Sequence, residues 1–222
     1  MTAVADMTTE QAGASEASPF RADELAIQAR AGVTALADAV GRRCIRDFMP
    51  QQHRQFFPQL PFFFIGALEA GGQPCAAMLA ADADFIDTPD ERTLQVGALP
   101  LPGDALDGQL HPGQWLGGLG IEPSTRRRYR VNGILTDVGA DGLRLAVTQS
   151  FGNCPRYIQA RVPRRADGAG RIAGSAHVLL GETLSVADRA LIGAADTLFI
   201  ATASVGEDAG RGDLISAVGP DW

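Results

Sequence analysis

The spacing of apolar residues predicts a helical N-terminal part followed by a long run of strands. Over residues 22–46 apolar side chains recur every three or four positions, which is the period of an amphipathic helix. They are Leu25, Ala29, Val33, Leu36 and Val40. A shorter helix is predicted over residues 50–58, so residues 20–60 form a predicted helical arm. Residues 1–19 are rich in Ala, Thr, Ser and Glu without such a period, and are expected to be a disordered leader.

From residue 61 the period changes to about two, which predicts short strands. The predicted strands are residues 62–68, 76–80, 84–87, 93–98, 115–121, 127–138 and 143–151, and a last one at 197–203. Gly71-Gly72 and Asp141-Gly142 lie between consecutive strands and predict tight hairpins. Short, evenly spaced strands favour a small barrel, so the predicted class is mainly β with helices (α+β), and residues 61–222 form its barrel domain.

Two further helices are predicted between the later strands. Asn153 and Pro155 suit the cap and first turn of a short helix. Ser185 and Asp188 have the spacing of a capping box, which predicts a helix ending near Gly193.

The overall composition excludes several classes of function. The formal charge is -7, with a pI near 4.9, so binding to nucleic acid through a general positive field is not expected. No apolar run reaches the roughly 20 residues of a membrane span, and the N-terminus lacks the features of a signal peptide, so a cytoplasmic location is expected. The three cysteines form no C-x-x-C pair and the three histidines lie far apart, so no metal site is predicted.

The chain contains no lysine, because all 19 basic residues are arginine. A Schiff base to pyridoxal phosphate and a Walker A phosphate loop are therefore both impossible. Neither G-x-S-x-G nor G-x-G-x-x-G occurs, so neither an α/β-hydrolase nor a Rossmann site is indicated.

The arginines are concentrated in one part of the chain. Residues 120–165 hold nine arginines against three acidic residues, a local balance of +6 that suits a phosphate ester. Strand alternation predicts that Arg126, Arg128, Arg130 and Asn132 share one face, while Tyr129, Val131 and Leu135 face a core. The alternative is that these arginines are only solvated.

A second candidate segment runs from Gln149 to Gln159. Gly152 permits a tight turn, and the free N–H groups of a helix start favour an anion. Arg156 could donate two hydrogen bonds to a phosphate, and Tyr157 could stack on a flat ring. An ordinary capped turn with a buried cysteine explains the same residues equally well.

The strings R-R-R-Y-R-V-N-G at 126–133 and S-F-G-N-C-P-R-Y-I-Q at 150–159 closely resemble a bacterial group among the pyridoxamine 5'-phosphate oxidase-like split-barrel proteins. The resemblance implies a six-stranded split barrel that dimerises, with FMN in a groove between two subunits. The phosphate would be held by arginine and small polar residues, and the isoalloxazine ring would lie against strand backbone. The cofactor-binding residues so expected are Ala76, Ala77, Met78, Arg126, Arg128, Arg130, Asn132, Gln149, Ser150, Asn153, Arg156 and Tyr157.

The implied function is an FMN-dependent oxidoreductase acting on a small redox substrate, with catalytic residues unassigned. The chain departs from the family where Cys75 and Ala77 stand in place of an expected Trp and Ser, so weaker FMN binding is expected. It also ends sooner after its last strand than relatives are expected to. The alternatives are a non-catalytic or cofactor-free dimer, or a split barrel that uses haem or the deazaflavin F420.

Overall fold

The computed structural model describes residues 18–81, 84–152, 158–163 and 183–203, together with the backbone of 216–218. The chain divides into two compact units, the first ending at Ile45 and the second beginning at Arg46. None of the helices within these ranges is long and apolar enough to cross a membrane.

The first unit contains two helices where the sequence predicted one. Helix α1 spans Ala22–Arg30 and α2 spans Thr34–Cys44. Gly32 lies between the two helices. Its φ of 69° is a left-handed conformation that glycine adopts without a steric penalty. The amides of Gly32 and Val33 donate to the carbonyls of Ala29 and Gln28, which is the Schellman arrangement that ends a helix. The apolar period continues through this break, so periodicity alone did not reveal it.

The second unit begins with a short helix, α3 (Gln51–Phe56), and a 3-10 turn (Phe57–Gln59). The predicted helical arm extended to residue 60, but these elements belong with the sheet. The apolar side chains within and directly beside them, Met49, Phe56, Phe57 and Leu60, are buried in the same cluster as the strand residues.

Seven strands form one antiparallel sheet with the order β2-β1-β5-β6-β7-β4-β3. Their bounds are β1 Phe63–Leu68, β2 Pro74–Leu79, β3 Ile86–Asp90, β4 Thr93–Val96, β5 Trp115–Glu122, β6 Arg127–Gly139 and β7 Gly142–Gly152. The predicted hairpins at Gly71-Gly72 and Asp141-Gly142 connect β1 to β2 and β6 to β7. The protein is therefore α+β, as expected.

In the described residues the sheet is not a closed barrel, because β2 and β3 remain as its two edges. Leu79 on β2 and Ile86 on β3 nevertheless belong to one buried cluster. The sheet therefore curls so that strands from both edges cover the same core. We call the side that packs on this core the inner face and the opposite side the outer face.

The rest of the described chain adds one helix and a small second sheet. Helix α4 spans Val186–Ala194, and its predicted capping box is confirmed: Asp188 N–H donates to the Ser185 hydroxyl, and Ser185 N–H donates to the Asp188 carboxylate. Strand β8 (Leu198–Ile200) pairs with β9 (Ser216–Val218). The predicted helix at Asn153 lies outside the described residues.

Candidate functional site

Strand β6 carries apolar and basic side chains on opposite faces. Val131 and Leu135 are fully buried in the core and Tyr129 packs against it, which confirms the predicted inner face. Arg128 and Arg130 alternate with these residues and therefore lie on the outer face.

Cross-strand pairing places Arg130 in a row of residues across five strands of the outer face. The row, called row A, is Met78, Phe64, Leu119, Arg130 and Phe151. Arg130 is only 7% exposed, and its guanidinium carbon lies 5.8 Å from the centroid of the Phe151 ring. A buried arginine on an apolar sheet face is costly to desolvate, so its neighbours must stabilise the charge.

The adjacent row, called row B, combines small and amide side chains. It consists of Ala76, Gly66, Gly117, Asn132 and Gln149. Asn132 is 3% exposed, and its Nδ2 donates to Gln149 Oε1 at 3.1 Å. The two amides are thereby fixed relative to each other beside Arg130. The sequence indicated Asn132 and Gln149, but Gly66 and Gly117 become neighbours only through the strand register.

Arg126 does not share the outer face, so its predicted place on the strand is wrong. Strand β6 begins at Arg127, and Arg126 lies in the turn after β5 with a φ of 58°. Its side chain is exposed. The predicted strand alternation begins one residue too early, because a run of consecutive arginines does not indicate where the turn ends and the strand begins.

Strand β2 presents its residues differently from the sequence interpretation. Ala76 and Met78 are on the outer face, whereas Ala77 is 3% exposed and belongs to the core, with Cys75 packed against it. Burial raises the pKa of the Cys75 thiol, and the charges of Glu69 and Asp104 raise it further. A serine at position 77 would therefore face the core, and the departure from the family at these positions does not touch the outer face.

Ser150 also faces inward. It has no exposed surface, and its hydroxyl donates to the Arg130 carbonyl oxygen at 3.2 Å. His53 Nδ1 lies 2.7 Å from the same hydroxyl oxygen, within hydrogen-bond distance. His53 is 7% exposed, its ring lies 4.1 Å from the Tyr129 ring, and burial lowers its pKa to about 4.

The His53–Ser150 pair has the separation of a nucleophile and its base, yet its surroundings favour a structural role. A serine without exposed surface cannot be reached by a substrate. The backbone N–H and C=O of Ser150 also exchange hydrogen bonds with Arg46, at 2.7 Å and 3.1 Å. The pair anchors the start of the second unit to β7. His53 is therefore a packing residue.

The arginines of residues 120–165 lie in different environments. Arg127 places its guanidinium 5.0 Å from the Phe56 ring centroid and 5.8 Å from that of Tyr129, on the inner side. Arg128 and Arg130 are on the outer face. Asn153, Arg156 and Tyr157 lie outside the described residues, so the second predicted phosphate contact has no structural description.

Within the described ranges, no group of three or more His, Cys, Asp or Glu side chains is arranged to hold a metal ion. The sequence matches no model of a known protein family, and no curated protein matches it significantly. The functional interpretation therefore depends on the geometry of the outer face and on the motifs of β6 and β7.

Proposed function

We propose that this protein is an FMN-binding flavoprotein of the pyridoxamine 5'-phosphate oxidase-like split-barrel family, and that it acts as a homodimeric oxidoreductase on a small molecule. The observation that carries the proposal is that Arg128, Arg130 and Asn132 share the outer face of β6. These are the arginine and small polar residues that the motif resemblance assigns to the flavin.

The outer face fits the two parts of FMN. Arg128 and Arg130 are planar donors suited to a phosphate ester, and they lie on the same side of one strand. Beside them, Ala76, Gly66 and Gly117 form a strip across three strands whose side chains do not extend beyond Cβ. A flat ring on this strip would lie directly against strand backbone, as the resemblance implies.

The amide pair next to the strip supplies a directional contact. Asn132 and Gln149 are already joined by a hydrogen bond, and both are amides, which can donate and accept hydrogen bonds. In the proposed complex they would orient the polar edge of the ring. A prearranged pair reduces the entropy that a ligand loses on binding.

FMN, when bound, supplies the redox chemistry, while the protein contributes orientation and electrostatics. Rows A and B contain one ionisable side chain, Arg130, whose guanidinium has only hydrogen-bond donors. The proposed role of these residues is therefore to bind the phosphate, support the ring and hold positive charge beside it, not to transfer a proton.

A dimer is part of the proposal for two reasons. Met78, on the outer face of the edge strand β2, is half exposed, and an edge strand of this kind is commonly covered by a partner. The groove implied by the motifs also lies between subunits. Light scattering should give twice the 23.3 kDa mass of one chain. A single-chain mass at micromolar concentration would contradict the dimer.

The decisive experiment is a fluorescence titration of FMN with three proteins: wild type, Arg128→Ala/Arg130→Ala, and Arg126→Ala. Each lost hydrogen bond to a charged group costs about 1.5–3 kcal/mol, so the double variant should bind FMN at least about tenfold more weakly. Arg126→Ala removes one positive charge from the neighbouring turn, against two in the double variant, and should retain wild-type affinity. Circular dichroism checks that all three remain folded.

Equal affinity in the double variant and wild type would place the phosphate elsewhere and remove the main support for the proposal. A visible spectrum of the purified protein distinguishes the alternatives. Flavin bands support FMN, a Soret band supports haem, and a deazaflavin spectrum supports F420. A colourless protein that does not take up FMN supports a cofactor-free dimer.

A further inference from the structure

A second feature of the outer face lies at the end formed by β1 and β2. A cavity of about 240 Å³ lies between these strands and the segments 158–161 and 196–199. Ile121, which lines it, is the cross-strand neighbour of Arg128, so the cavity and the arginine face are continuous along β5 and β6.

The walls of this cavity are mainly apolar, and three of the side chains that line it are phenylalanines. The Phe64 and Phe199 rings are stacked, with centroids 3.6 Å apart and planes inclined by 16°. Phe62 meets Phe64 edge to face, with centroids 5.6 Å apart. Met78 also lines the cavity, and its thioether side chain is half exposed. Aromatic walls favour flat rings through stacked and edge-on contacts, and a thioether adapts its shape to them.

One end of the cavity is polar and carries no net charge. Arg161 and Asp196 both line it and form an ion pair through Arg161 Nη2. Arg161 Nη1 also donates to the Ala160 carbonyl oxygen at 2.9 Å. The hydrogen bond from Arg161 lowers the pKa of Asp196, which favours the ionised carboxylate. The pair therefore presents N–H donors and carboxylate acceptors side by side.

We infer that this cavity binds a small neutral aromatic molecule whose ring carries a carboxamide-like group. The ring would lie against Phe64, Phe62 and Met78, and the amide would face the Arg161–Asp196 pair. An apolar cavity of about 150 Å³ accepts benzene, so this one has room for a ring with a short substituent. A carboxylate would have to compete with Asp196 for Arg161, whereas a neutral amide matches both partners.

The site does not depend on flavin binding, and its test is done without FMN. Benzamide, benzoate and cyclohexanecarboxamide are titrated separately into the full-length protein, with binding followed by protein NMR shifts. Benzamide should saturate at roughly millimolar concentration. Cyclohexanecarboxamide should bind about threefold to tenfold more weakly because it cannot stack. Benzoate should also be weaker. Absence of benzamide binding, or equal affinity for the aromatic and saturated rings, would overturn the inference.

Two substitutions at one position locate the site. Met78→Trp adds bulk to the cavity wall and should abolish benzamide binding, while Met78→Leu conserves volume and should preserve it. Because Met78 is half exposed, both variants should fold. Benzamide binding that persists in Met78→Trp would place the ligand outside this cavity. FMN titration of the same variants reports separately on the proposed flavin site.

A third substitution tests the polar end. Asp196→Asn removes the carboxylate that neutralises Arg161, so the preference should reverse and benzoate should bind more tightly than benzamide. An unchanged preference for benzamide in Asp196→Asn would show that the ion pair does not select the ligand, and would overturn that part of the inference.

Discussion

The two faces of the sheet have the same strand alternation but different kinds of contact. On the inner face, side chains such as Leu79, Val131 and Leu145 are fully buried and pack against each other. On the outer face, apolar residues such as Phe64 share a row with a buried arginine and lie next to glycines. The inner face contains the packed apolar side chains that a stable core requires. The outer face also buries polar groups, which a core does not need for its stability.

This difference implies that stability and ligand binding can be changed separately. Substitutions on the inner face should reduce the free energy of unfolding through lost packing. Substitutions of half-exposed outer-face residues such as Met78 should alter binding while leaving the fold intact. Neighbouring residues on one strand test this most directly, because they share backbone surroundings and differ only in the face that they occupy.

The largest expected effect is at Leu79 on β2. Leu79→Ala removes a side chain without exposed surface and should lower the free energy of unfolding by about 2–5 kcal/mol. Met78→Ala, one residue away on the outer face, should lower it by less than about 1 kcal/mol because Met78 is half exposed. Urea unfolding of both variants and wild type measures the difference. Similar losses at both positions would mean that the outer face is packed as tightly as the core.

The second expected effect is a pH dependence from His53 on the inner side. Its pKa is about 4 in the folded protein against 6.5 for an ordinary histidine, because burial disfavours the charged ring. Between these values the unfolded chain binds a proton that the folded protein does not. His53 therefore does not lower the free energy of unfolding above pH 6.5. Below that pH the free energy of unfolding falls as the pH decreases to about 4, by at most about 1.4 kcal/mol per pH unit.

Urea unfolding between pH 7.5 and 4.5 measures this slope, with His53→Gln and His111→Gln compared to wild type. His53→Gln should flatten the curve in this range, and His111→Gln, in an exposed loop, should not. Carboxylates such as Asp47, whose pKa is lowered by its hydrogen bond with Arg92, lose their contribution only at more acidic pH. A steep slope that persists in His53→Gln would assign the effect to other groups.

Much of the fold could be predicted from sequence because turns and strand periods are local signals. Gly71-Gly72 and Asp141-Gly142 indicated two of the hairpins, and the alternation of Tyr129 with Arg130 indicated the two faces of β6. On β2 both faces are apolar in sequence, so alternation could not decide whether Ala76 or Ala77 faces the core. That choice follows from the register with β1, which only the folded sheet provides.

The site was predicted less completely, because its contacts join distant parts of the chain. His53 and Ser150 are 97 residues apart, and no local pattern links them. The strip of Ala76, Gly66 and Gly117 likewise depends on the pairing of three strands. The candidate chemistry on β6 could be predicted from the sequence because Arg128, Arg130 and Asn132 lie on one continuous strand.

The smallest expected effect concerns Arg126, which belongs to neither face. Its φ of 58° costs an L-residue about 1–2 kcal/mol, and glycine avoids that cost while losing more chain entropy on folding. Arg126→Gly should therefore raise the free energy of unfolding by about 0.5–1 kcal/mol. Arg126→Ala removes the same side chain but keeps the Cβ, so it should give no comparable gain. Urea unfolding of the two variants separates the backbone effect from the loss of charge. Equal stability of the glycine and alanine variants would mean that the turn stores no strain at this position. Both variants should bind FMN like wild type, since Arg126 lies in the exposed turn beyond the outer face.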